Sequence, residues 1–319
     1  MDKEIGGYFG LEYLHGKEYY ESMIGVNSAR NALLYILKAR QINKIYIPRF
    51  LCDSVSGLCL REGYSYEEYP VDINFRPVFS KDLEEGEYLY IVNFYGQISN
   101  NEIQKLKKRW GNIIVDNVQA FFQEPVSGVD TIYSCRKYFG VPDGAYAYTD
   151  SLLDEELPLD VSMDRMRCIL GRFEGTASDY YSDYQATGPV FEDLPLRRMS
   201  LLTHNILRAV DYETVKRRRE ENYRVLESKL KSRNVLQLTT PAGPFCYPFY
   251  CRNGLQVKKY LAQRKIYVPT LWPNVLQMED GLEKDLAENI LPLPCDQRYT
   301  EEDMLVMTDI LEEILSDLY

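Results

Sequence analysis

The chain has 319 residues, 45% of them hydrophobic and 27% charged, with a formal net charge of −11. That apolar fraction fills a large core in one bilobed chain or two domains. The acidic excess excludes a nucleic-acid partner, because phosphate backbones are bound through surplus Lys and Arg, and no apolar run is long enough to span a membrane.

In chain order, residues 1–16 have neither the basic start nor the apolar centre of a secretory leader, so a cytoplasmic protein is expected. Helical periodicity covers 28–41, 53–61 and 100–109, and strand-like runs lie at 44–48, 64–70, 88–93, 113–116, 131–134 and 145–148. Such alternation predicts a mostly parallel sheet covered on both faces. Further helices are predicted at 162–171, 201–230, 254–263 and 300–318. The long stretch after Met199 leads to a smaller α/β unit with strands at 245–251 and 266–268, across which the last helix packs.

Residues 178–192, rich in Tyr, Asp, Gly and Thr, have little periodicity and read as a long loop, either functional or a plain connector. Tyr180, Tyr181 and Tyr184 can stack on a sugar there, but the chain holds 27 tyrosines, so the cluster decides little. The basic run from Lys216 to Arg219 adjoins Glu220 and Glu221 and reads as a solvated, ion-paired helix face. Seven scattered cysteines without a C-x-x-C pair point to reduced thiols rather than structural zinc. With His15 and His204 as the only histidines, a serine-type triad or a histidine metal site lacks parts, and His204 reads as structural.

The chemistry concentrates between Ile113 and Tyr148. An apolar run closes on Asp116, with Gln119 three residues later, and ligands of α/β sheets gather where such strands end. An acid there either pairs with a protonated ring nitrogen or caps the next helix. Lys137 follows a short strand-like piece and precedes Gly140, Pro142 and Gly144, a composition suited to a tight turn. Alone it reads as a solvated charge; beside a bound aldehyde, with some amine left free, it forms a Schiff base. The order and spacing of the acid and the lysine suit a pyridine cofactor. Ser28, Ala29 and Arg30 open a helical pattern whose free N–H groups and dipole favour an anion.

The segment VNFYGQISNNEIQKLKKRWGNIIVDNVQAFFQE (92–124) resembles the DegT/DnrJ/EryC1/StrS aminotransferases, in which a strand ending in a YGQ-like motif leads through a helix to a strand ending in D-x-x-Q. VNSARNALLYIL (26–37), KIYIPRFLCDSV (44–55), PLRRMSLLTHNILRAVDYETVKRRREENY (195–223) and NILPLPCDQRYTEEDM (289–304) match in the same order. The resemblance implies the three-layer α/β fold of pyridoxal-phosphate transferases of fold type I. It places a large cofactor-binding domain at 1–198 and a connecting helix with a small domain at 199–319.

By the same resemblance Lys137 is the Schiff-base lysine, Asp116 partners the pyridine nitrogen and Gln119 contacts the phenolic oxygen. Ser28 and Ala29 stand where the family holds phosphate with a Gly-Thr pair, and Arg30 adds a charge-assisted contact. Ser134 lies near a phosphate-binding serine of the family, at a shorter spacing to the lysine. Cys52, with Phe50 nearby, replaces the aromatic residue that often stacks on the ring. Leu196, followed by Arg197 and Arg198, replaces an asparagine that reaches the neighbouring subunit's phosphate. The turn Pro142-Asp143-Gly144-Ala145 replaces Gly-Asp-Gly-Gly.

The implied activity is transfer of an amino group from glutamate or another amino acid to a keto sugar, nucleotide-linked, in surface-polysaccharide or amino-sugar biosynthesis. A homodimer completes the site, with the helix beginning near Arg198 close to the interface. The lysine at 137, where sugar dehydratases of the family carry histidine, favours amino transfer. The chain is short for the family, and the shortening falls in loops that elsewhere clasp a nucleotide sugar. Two other readings stay open: a pyridoxal-phosphate enzyme acting on a non-sugar amine or amino acid, and an inactive relative serving as a binding or scaffold protein.

Overall fold

The computed structural model describes residues 5–318. The charged start of the N-terminal stretch, Met1 to Glu4, and the outermost limits of both expected domains lie outside them.

The chain opens with β1 (Ile24–Val26), which the sequence reading does not include, and α1 (Ala29–Ala39), N-capped by the Ser28 hydroxyl. β2 (Lys44–Pro48), α2 (Asp53–Glu62), β3 (Ser65–Tyr69) and β4 (Glu87–Val92) follow close to their predicted places. α3 (Asn100–Trp110) starts in a reciprocal capping box between Ser99 and Glu102 and leads into β5 (Ile113–Asp116), β6 (Asp130–Ser134) and β7 (Ala145–Tyr148). The seven strands form one sheet in the order β1-β7-β6-β5-β4-β2-β3. β2 to β6 run parallel, and β7 is antiparallel to both β6 and β1. Every residue of β5 and β6 is buried, as expected for central strands covered on both faces.

Past the sheet come α4 (Arg167–Glu174), α5 (Tyr181–Glu192), α6 (Leu201–Leu207) and α7 (Tyr212–Leu230). The long loop expected at 178–192 is therefore largely helix, packed against α4 despite Gly188 and Pro189. The single helix expected over 201–230 is two, because Asp211 turns out of helical geometry and caps α7 through the Thr214 N–H.

β8 (Tyr247–Tyr250), α8 (Gly254–Gln263), α9 (Leu282–Asn289), β9 (Ile290–Leu293) and α10 (Glu301–Leu318) build the smaller unit. Its two strands pair antiparallel, and Leu226, Phe249, Leu261, Leu291 and Leu311 share one core. Residues 266–268, expected as a strand, are irregular; the partner of β8 is β9. Among the described residues, no helix is long and apolar enough to cross a membrane, and no cluster of His, Cys, Asp and Glu could hold a metal ion.

Candidate active site

Strand register gathers the sequence-predicted residues at one edge of the sheet. Asp116 ends β5 beside Ile132 of β6, while Ser134, two residues further on, shares a row with Ala145 and Val26. β1 runs in the same direction as β6, so Ser28 and the start of α1 leave the sheet at the edge where Asp116 lies. With strands about 4.8 Å apart, β5 and β1 stand roughly 14 Å from each other across that edge.

Asp116 is buried and held from two sides. The Tyr90 hydroxyl donates to Oδ2 at 2.5 Å, and the Val118 N–H donates to Oδ1 at 2.8 Å. Burial nevertheless pushes its carboxyl above the usual carboxylate range, against the pull of those two bonds and of the Lys137 charge. Lys137 thus lies within electrostatic reach of Asp116. It ends the short 3-10 turn Cys135–Lys137, with Nζ 5.3 Å from the centroid of the Phe245 ring. The backbone behind it is clamped: the Tyr138 carbonyl accepts from Gln297 Nε2 at 2.7 Å and from Arg219 Nη2 at 3.3 Å.

Gln119 is buried, and its Oε1 accepts the Tyr95 N–H at 2.8 Å. Tyr95 sits at φ 55°, a strained position for a tyrosine, and this bond helps hold it there. The carbonyl end being occupied, the Gln119 amide N–H₂ is left as a donor. Ser28 accepts from the Asn31 N–H at 3.2 Å, which leaves the N–H groups of Ala29 and Arg30, ahead of the first intrahelical bond, as donors. The Ser134 hydroxyl is close by in register and does not cap its own turn.

At three further positions the side chains are engaged within the chain itself. The Arg30 side chain is engaged by the Phe191 carbonyl, accepting from Nη1 at 2.7 Å, rather than standing clear for an anion. Phe50 is core, edge-to-face with Trp272 at 4.5 Å between centroids. Leu196 packs against the main core, while Arg197 reaches Asp160 at 3.8 Å and Arg198 reaches Glu156 at 3.6 Å.

Cys52 precedes α2 without capping it, its thiol 2.7 Å from the Ser54 hydroxyl and within electrostatic range of Tyr90. In the altered turn, Asp143 accepts from the Ser200 N–H at 2.9 Å, the Ser200 hydroxyl at 2.7 Å and the Thr203 hydroxyl. Gly144 keeps a φ of 109°, so the two central residues of the family turn retain structural work here.

Tyr90, Phe245, Gln297 and Arg219 are the site residues that sequence reasoning missed. Tyr90 had one available signal, its place two residues before the end of the strand that pairs with β5. Arg219 closes the basic run expected as a solvated helix face, but it is buried and bonds Gln297, Pro244 and Tyr138 instead; Phe245 and Gln297 come from distant segments.

No family model and no curated protein matches the sequence. Solved structures do match. A DegT DnrJ EryC1 StrS aminotransferase from Brucella abortus superposes with a TM-score of 0.60 at 15% identity, over 95% of this chain and 91% of that one. Sugar aminotransferase CalS13 from Micromonospora echinospora gives 0.60 at 14% identity, over 91% and 87%. Ntda from Bacillus subtilis, with bound cofactor PMP, gives 0.62 at 14% identity, over 91% and 73%. The chain has the fold of these aminotransferases. The expected α/β architecture therefore holds over nearly the whole chain.

Proposed function

We propose that the protein is a pyridoxal-phosphate-dependent aminotransferase that moves an amino group from glutamate or another amino acid to a keto sugar, nucleotide-linked. The reading rests above all on one observation: a buried acid and a lysine lie within electrostatic reach of each other at the strand ends of this fold. The donor set fits the cofactor at each polar group. Asp116 suits the ring nitrogen, the Gln119 amide suits the phenolic oxygen, and the free N–H groups of Ala29 and Arg30 with the Ser134 hydroxyl suit the phosphate. Cys52, at the strand-end side of Tyr90, is the side chain this reading places against the ring.

When bound, the cofactor supplies an electron sink for the substrate carbon. The chain's residues tether, orient and move protons. Lys137 would hold the cofactor through its amine and would carry the proton at the substrate carbon as general base and acid. Asp116 would hold the ring nitrogen in its protonated form, a pairing that would offset the burial that disfavours its carboxylate. Tyr90 and the Val118 N–H fix its oxygens. The Arg219 and Gln297 bonds to the Tyr138 carbonyl hold the lysine turn in place. In this reading the protein works in the cytoplasm as a homodimer, with 1–198 as the cofactor domain and 199–319 as the connecting helix and small domain.

Absorbance spectra of wild type and Lys137→Ala, with and without added cofactor and glutamate, test the assignment. A visible band that glutamate shifts in wild type and that the variant lacks is the expected result. A band unchanged without the lysine refutes it.

A further inference from the structure

A cleft of about 90 Å³ opens between the turn that follows Lys137 and the α4-α5 hairpin, lined among others by Arg136, Pro142, Arg165, Cys168, Tyr184 and Phe191. That room suits a small group rather than a whole drug-sized ligand, for which pockets of about 300 Å³ or more are usual. Two guanidinium groups flank one aromatic ring there: Arg136 lies 3.6 Å and Arg165 5.6 Å from the Phe191 centroid. Arg165 donates to Asp160 from Nη2 at 2.6 Å, yet its Nε is buried without a hydrogen-bond partner among the described residues. Arg136 makes no hydrogen bond or ion pair among the described residues. It is exposed to solvent, with its guanidinium stacked over the Phe191 ring.

Two cations thus share a cleft whose carboxylates are already engaged: Asp160 accepts from Arg165, and Asp143, within electrostatic reach of Arg136, accepts from Ser200 and Thr203. A cation–π stack on Phe191 accounts for the placement of Arg136, but it leaves the Arg165 N–H orphaned, at a cost comparable to a lost hydrogen bond. A multivalent oxyanion resolves both, because guanidinium forks match phosphate oxygens and Arg136 is left with all its donors.

We propose that this cleft is a phosphate subsite, gripped by Arg136 and Arg165, for the phosphate groups of a phosphorylated small-molecule substrate whose reacting end lies at Lys137. The proposal rests on the aminotransferase reading for the substrate's reacting end, not for the anion site itself. Phosphate could also be supplied by the cofactor, and the experiment separates the two sources.

Wild type, Arg136→Gln, Arg165→Gln and Arg136→Lys are titrated calorimetrically with uridine diphosphate, glutamate, pyridoxal phosphate and pyridoxal, with circular dichroism to confirm folding. The expected result is that uridine diphosphate binds wild type and weakens roughly tenfold or more in each glutamine variant, with Arg136→Lys intermediate. Equal uridine diphosphate affinity in wild type and both glutamine variants overturns the proposal, as does binding of glutamate alone. Variants that weaken pyridoxal phosphate, but neither pyridoxal nor uridine diphosphate, overturn the substrate assignment and give the cleft to the cofactor. The visible band recorded on the same samples is an independent readout. Uridine diphosphate binding without a Lys137-dependent band sinks the aminotransferase reading and leaves the subsite standing; the reverse pattern sinks only the subsite.

Discussion

In the proposed reading Asp116 combines two roles that pull against each other. Its folded-state pKa lies above the ordinary 3.8, so the native state holds the carboxyl proton more tightly than the unfolded chain does. Stability from this group is therefore full below about pH 3.8 and is lost as pH rises through the folded value, since the native state binds the proton more tightly than the unfolded one. Asp116→Asn removes that dependence. The melting temperature of the cofactor-free variant, relative to wild type, should rise as pH is raised from 4 to 8, while its kcat falls by roughly a hundredfold or more for want of a partner at the ring nitrogen. A relative melting temperature that falls with pH would contradict the assigned shift. Asp116, Gln119 and Lys137 are legible in the sequence because each follows a short buried strand whose end can be recognised locally. Tyr90 is not, since its bond to Asp116 exists only once β4 and β5 pair in register. The engagement of Arg30 by the Phe191 carbonyl is equally invisible, because it joins positions 161 residues apart.

The turn after Lys137 and the start of α6 behave as one unit. Asp143 accepts three hydrogen bonds from Ser200 and Thr203, and a Cβ built on Gly144 would lie 2.9 Å from the Thr203 side chain at a φ of 109°. Gly144→Ala is therefore strained twice and should cost about 2 kcal/mol or more, read as a lower denaturation midpoint at unchanged m-value. An alanine variant as stable as wild type would show that the turn can shift freely. Other elements were hidden for physical reasons. β9 carries Pro292, which ordinarily argues against a strand, yet Pro292 faces Pro248 of β8. The bond from the Cys251 N–H to the Asn289 carbonyl at 3.0 Å fixes the alternation so that the prolines fall in a non-hydrogen-bonded pair, where neither missing N–H breaks the ladder. α5 was hidden by the opposite effect: Gly188 and Pro189 weaken its intrinsic preference, and packing against α4 overrides it.

The alternation of buried strands and capped helices in the first half made the sheet readable, because each parallel strand pairs inside a repeating strand-helix unit. The antiparallel end of the sheet was less so: β1 is three residues long, and only its pairing with β7 defines it. What the single chain leaves uncovered bears on its assembly. Isolated exposed apolar side chains are ordinary, but Val161, Met163, Leu170 and Phe173 are all exposed within one short segment around α4, Phe173 at 90%, and Tyr8, Phe9 and Leu11 are exposed near the N-terminus. A second copy of the chain is the occupant that the homodimer reading requires. The protein should then sediment as a dimer at micromolar concentration, and its melting temperature should climb with protein concentration, because association stabilises only the native state. Placing a charge in the covered face, as in Phe173→Glu combined with Met163→Glu, should shift the population to monomer and reduce transamination with it, while the far-UV circular dichroism is unchanged. A wild-type chain that sediments as a monomer and still transfers amino groups would rule out the shared site.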